Sequence, residues 1–140
     1  MSSANHKARP KVKLSTQEMQ NGCRLGTDSH ADISCAGRHA KVLSYHEGKS
    51  CTVHPFNDSY SPMKDVRTVN VAFAYDTDHG DTHILLLNQA LDFTDTMNHS
   101  ILCTNQARMN GVKVNDIPKL CDNTSTQSII FPEQNISIPL

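Results

Sequence analysis

Tryptophan is absent from this chain, and three Tyr with four Phe are its whole stock of aromatic rings. With hydrophobic residues at only 37% of 140, the core must be modest and mostly aliphatic, one that a partner chain helps to complete. An excess of one charge is also missing. Thirteen Lys and Arg face fourteen Asp and Glu, for a net charge of −1, which excludes the strongly basic surface of a nucleic-acid binder. Arg9, Lys11 and Lys13 read as a solvated tail, and no direct nucleic-acid contact is expected. Long apolar runs are lacking too. Ile84-Leu85-Leu86-Leu87 is far too short to cross a bilayer, and the N-terminus has no apolar stretch of the secretory type, so no membrane partner is expected. The five Cys are odd in number and include no tight Cys-x-x-Cys pair. Reduced thiols and an intracellular, cytoplasmic setting follow as expectations. The Asn-x-Ser/Thr triplets at Asn57, Asn98, Asn123 and Asn135 are then by-products of a composition rich in Asn, Ser and Thr.

What remains reads as one domain. Residues 1–22 are polar and predict a flexible leader, and the domain is expected over residues 23–140. Short strands are predicted at 39–45 and 49–56. The clearest is 66–75, where Val69, Val71, Phe73 and Tyr75 alternate with Asn70, Ala72 and Ala74. The turn formers of 76–81 and a return strand at 82–90 predict a hairpin, with the run 84–87 buried on both faces. A short buried strand at 100–104 precedes one or two helical turns at 105–110, stopped by Gly111. Late strands are predicted at 128–131 and 135–138. Many short strands and one brief helix predict an all-β barrel or sandwich.

The segment Gly26-Thr27-Asp28-Ser29-His30-Ala31-Asp32-Ile33-Ser34 is the most unusual. An acid at a sharp loop, followed by a hydroxyl residue that braces the turn, a close-approach position and Ala, is a layout for presenting one carboxylate. Far downstream, Ile101-Leu102-Cys103 forms an apolar-apolar-small triplet, followed by Gln106 and Gly111. In this order, over residues 23–119, the chain resembles the protease region of copia-type LTR retrotransposon polyproteins. It is similar above all to variants in which the active triplet is Asp-Ser-His.

That resemblance implies a half-size, retropepsin-like closed barrel with a short late helix, acting as a homodimer on a polypeptide substrate without a cofactor. Asp28 from each copy would supply one carboxylate of a catalytic pair. Two carboxylates about 3 Å apart hold one proton between them, so one activates water while the other protonates the developing oxyanion. Ser29, His30, Ala31 and Asp32 would shape the active loop, and Ile101, Leu102 and Cys103 would pack beneath it. Asp32 would pair with Arg108, with Arg24 and Arg38 as rivals. A flap would fall within residues 54–64. His30 departs from the family's usual Gly, setting an imidazole where two loops would meet.

Two other readings stand beside this one. A transposon-derived fragment could keep the fold without the chemistry, which His30 and a Gly-poor flap favour. Alternatively, Asp28, His30, Asp32, Cys35 and His39 alternate along the chain and could ligate one zinc ion from one side. Cys35 with His39 as nucleophile and base has no visible oxyanion partner. The protease reading expects no metal.

Overall fold

The computed structural model describes residues 25–140; the expected leader, Cys23 and Arg24 lie outside them. Nine strands and one helix follow in order: β1 (Leu25–Asp28), β2 (Cys35–Ala36), β3 (Lys41–Val53), β4 (Met63–Asp76), β5 (Thr82–Asp92), β6 (Ser100–Cys103), α1 (Thr104–Met109), β7 (Lys113–Asn115), β8 (Ser128–Phe131) and β9 (Ile136–Pro139). The first six strands form one sheet in the order β1-β6-β2-β5-β4-β3, and the last three form a second, antiparallel sheet. The described chain is mostly β with one small helix, as expected. No helix in it is long and apolar enough to cross a membrane.

The period-2 pattern of β4 carries the core. Val69, Val71 and Phe73 are buried on one face. They pack with Ala36, Ala40 and Ala90, against half-buried Leu25, Val42, Leu85 and Leu87. A second cluster joins Val66, Leu91 and Phe93 to Ile33, Cys35, Val53 and Met97. Burying a Val, Leu, Ile or Phe side chain stabilises the fold by about 1.5–3 kcal/mol, and alternation puts the two clusters on opposite faces of the sheet, since Cys35 and Leu91 of the second adjoin Ala36 and Ala90 of the first.

The β4–β5 hairpin forms where the pattern predicts, with Phe73 opposite Leu85 and Tyr75 opposite His83. Its apolar run is not buried on both faces, however. Leu85 and Leu87 face the core, whereas Ile84 and Leu86 are 63% and 65% exposed. One side of this hairpin is simply not covered by another layer, a fact that an unbroken apolar run cannot encode. Near the end of β5 the pairing slips between Val69 opposite Ala90 and Val71 opposite Leu87. The extra residue makes a bulge at Asn88-Gln89, and Gln89 takes the left-handed conformation (φ 62°).

The two strands predicted at 39–45 and 49–56 are one long strand, β3. Its pairing with β4 slips between Tyr45 opposite Val69 and Ser50 opposite Arg67. Gly48 (φ 70°) lies in the slipped stretch, where its missing Cβ permits the left-handed backbone. An interruption in the apolar pattern here marks a bulge and not a strand end.

Candidate active site

The acid-bearing loop is built where two parts of the chain, more than 70 residues apart, run side by side. β1 pairs in parallel with β6, in the register Gly26–Ile101, Thr27–Leu102 and Asp28–Cys103. Asp28 therefore ends its strand directly beside the last residue of the apolar-apolar-small triplet. Ile101 and Leu102 are half-buried and Cys103 is buried. The triplet flanks β1 within one sheet, and its Cys103 side chain reaches under the loop.

After Asp28 the chain turns sharply. The His30 amide donates to Asp28 Oδ1 at 2.8 Å, and Ser29 Oγ lies 3.3 Å from His30 Nδ1. A short polar side chain accepting from the amide two residues on is the ordinary way an Asp braces a turn. His30 is not among the residues of left-handed backbone, so its position does not demand Gly for backbone reasons.

Hydrogen bonds then anchor the loop to the first turn of α1. The Cys103 thiol donates to the Ala31 carbonyl at 2.9 Å, and the same sulfur accepts from the Gln106 amide at 3.3 Å as the helix N-cap. Asn105 Nδ2 donates to the Ser29 carbonyl at 3.0 Å. Fully buried Ser34 accepts from the Cys103 amide at 2.9 Å. Both its amide and its hydroxyl donate to Gln106 Oε1, at 2.9 and 2.7 Å. The other end of Gln106 donates to the carbonyls of Asn88 and Gln89, both at 3.2 Å. One amide side chain thus ties α1, the end of the acid loop and the β5 bulge together. Buried polar groups are tolerated when every one of them is satisfied, and Ser34 is.

Asp28, Ser29, His30 and Asp32 are all exposed, and Ala31 is half-buried. In the single chain the acid faces solvent at the end of β1. The 54–62 connection between β3 and β4, within the stretch expected as a flap, is likewise exposed, with Phe56 and Tyr60 bare at its tip.

Arg108 does not pair with Asp32 within the chain. Its guanidinium meets Asp116 at 2.5 Å, Asn105 Oδ1 at 3.1 Å and the Val114 carbonyl at 3.3 Å. A partner eight residues downstream, brought close by the turn into β7, takes the charge that was assigned to a residue 76 positions upstream. Of the rivals, Arg24 lies outside the described residues. Arg38 forms no ion pair among them, and its Nε is buried without a partner. Nor do the five alternating ligands converge. Among the described residues no group of three or more His, Cys, Asp or Glu comes together. Asp28, His30 and Asp32 point into solvent, while Cys35 packs against Val66, Leu91 and Phe93. Burial there, and secondarily Cys51, pushes the Cys35 thiol up from its ordinary value. All four described cysteines are free thiols.

Residue-type reasoning passed over Ser34 and Asn105 and gave Gln106 no role. The one available signal was their position: Ser34 six residues after Asp28, Asn105 and Gln106 directly behind the triplet. Comparison with family models, with curated proteins and with solved structures returns no match to this chain.

Proposed function

We propose that this protein is an aspartic endopeptidase of the retropepsin type, in which Asp28 from each of two identical chains forms the catalytic pair. The observation that supports it is the in-step parallel pairing of β1 with β6. It sets Asp28 beside Cys103 and hangs the acid loop on α1 through Cys103, Asn105 and Gln106. A loop pinned this firmly around an outward-facing acid is preorganised for a task.

One carboxylate cannot act as base and acid in the same step. The described chain has one such loop, so a two-fold copy supplies the other. In the dimer the loops meet at the axis, the barrel closes, and the exposed carboxylate leaves water. An extended polypeptide lies between the paired loops and the 54–62 connections, which serve as flaps. Water adds to the scissile carbonyl as one Asp28 takes its proton. The other Asp28 donates its proton to the carbonyl oxygen; the first then passes the proton it took to the amide nitrogen, the second takes back a proton from a diol hydroxyl, and the C–N bond breaks to release acid and amine.

The test is cleavage of an unstructured polypeptide between pH 3 and 7 by the wild type and by Asp28→Asn. We expect an acidic optimum, inhibition by statine-type transition-state mimics, and a loss of about 10³-fold or more in the variant. Cleavage that persists in Asp28→Asn rejects the assignment.

The second reading, a fold kept without its chemistry, is favoured by His30, whose exposed imidazole lies 3.3 Å from Ser29 Oγ in the loop that a partner's loop would approach. Should the wild type be inert and His30→Gly gain activity, the chain is a disabled protease. The resemblance to retrotransposon polyproteins makes such polyproteins the substrate in the first reading.

A further inference from the structure

An antiparallel sheet with one face in water ordinarily carries polar residues on that face. The β4–β5 hairpin does not. Ala72 pairs with Leu86 and Ala74 with Ile84, and residues directly opposite each other share a face. All four lie on the side away from the core residues Val71, Phe73, Leu85 and Leu87. Ala74, Ile84 and Leu86 are exposed, and Ala72 is half-buried. The second core cluster covers this face only farther along, at Val66 and Leu91. Contiguous bare apolar surface of this kind marks a place where something docks.

Charge frames the patch at its two ends. Toward the turn, Asp76 pairs with Thr82, whose hydroxyl donates to its Oδ1 at 2.6 Å. Four residues back along β4, exposed Lys41 of β3 stands opposite Ala72. Neither Asp76 nor Lys41 has an ion-pair partner among the described residues. An acid at one end, a base at the other and an uncharged apolar stretch between them make a face complementary to its own copy turned end for end.

We propose that this face is an interface between two copies of the chain, related by a two-fold axis that crosses the strands at Ala74 and Ile84. Such an axis reverses the strand direction. It lays the Asp76–Thr82 pair of each copy over the Ala72–Leu86 pair of the other. Asp76 then comes beside the partner's Lys41, and does so twice, because a two-fold repeats every contact. Between these ion pairs Ile84 and Leu86 of both copies leave water, filling the roughly 10 Å gap of face-to-face sheets. The patch is small for a permanent dimer, so the association is weak and concentration-dependent. In the sheet the face is separated from β1, which carries Asp28, by β2 and β6. The contact is therefore independent of any catalytic role for Asp28 and compatible with pairing of the acid loops.

The test is sedimentation equilibrium of the full chain and of three variants, Lys41→Asp, Asp76→Lys and the two together. We expect the wild type to self-associate through a step that either single change weakens by about tenfold or more, since each sets like charges against each other at two places. The double variant restores opposite charges across the axis, and its dissociation constant should return to within about threefold of the wild type. Leu86→Lys should abolish the same step while the unfolding midpoint of the diluted chain stays put, which shows that the variant is folded. A wild type without such a step overturns the proposal. So does association indifferent to the charge changes, which assigns it to the Asp28 loops, and so does a double variant as weak as the single ones.

Discussion

Gly37 has no room for a side chain. A Cβ there would overlap the His99 carbonyl oxygen and come within 2.6 Å of the carbonyl carbon, both rigid backbone. At Gly26 the nearest atom would be 3.7 Å away, an ordinary contact. Gly37→Ala should therefore lower stability by about 1–3 kcal/mol, and Gly26→Ala should lie within about 0.5 kcal/mol of the wild type. Urea midpoints at constant slope distinguish the two. Cys35 offers a second residue-level test. Its thiol holds its proton more tightly in the folded chain, because burial disfavours the thiolate. Stability from this group is then complete at neutral pH and is lost as pH rises past the ordinary thiol value and through the raised one. Thermal midpoints should fall more steeply above about pH 9 for the wild type than for Cys35→Ala. Exposed Cys51 and Cys121 should alkylate well before Cys35 at pH 8.

Elements were legible in the sequence to the degree that one face of each is buried. β4 reads clearly because Val69, Val71 and Phe73 alternate with residues on the open face. Its partner β5 was placed correctly in the chain, but the four consecutive aliphatics concealed that Ile84 and Leu86 face outward. Adjacent cross-strand pairs expose the asymmetry. Phe73→Ala should cost about 3–5 kcal/mol, whereas Ile84→Thr, one pair along, should stay within about 0.5 kcal/mol. β2 was invisible, since two residues held between long-range partners carry no periodic signal. Of the candidate site, Asp28 and the triplet stood out by residue type and order, and β1 and β6 bring them side by side. The site's supports did not, because a Ser–Gln contact across 72 residues has no local pattern. Gln106→Leu should show their worth. It leaves the fully buried Ser34 hydroxyl and amide without their acceptor and frees the β5 bulge carbonyls. The expected cost is about 1–3 kcal/mol, read as a lowered urea midpoint with early exchange of the 29–34 amides.

For the molecule as a whole, the proposed chemistry is a property of two chains. If each pair of chains supplies one catalytic centre, mixing wild type with an equal amount of Asp28→Asn should poison it. Random exchange leaves about half of the wild-type chains in wild-type pairs, so activity per wild-type chain should fall to about half. A value unchanged on mixing, with exchange verified by mass-tagged subunits, would mean that each chain works alone. The parallel seam between β1 and β6 also sets a timetable. Its two halves are separated by almost the whole of the larger sheet, and the thiol that clips the acid loop is 72 residues downstream of the carbonyl it holds. Such distant pairings are slow to form. On a ribosome the acid emerges early and stays unclamped until α1 has followed it out. A nascent chain would thus carry the proposed catalytic acid without the means to use it.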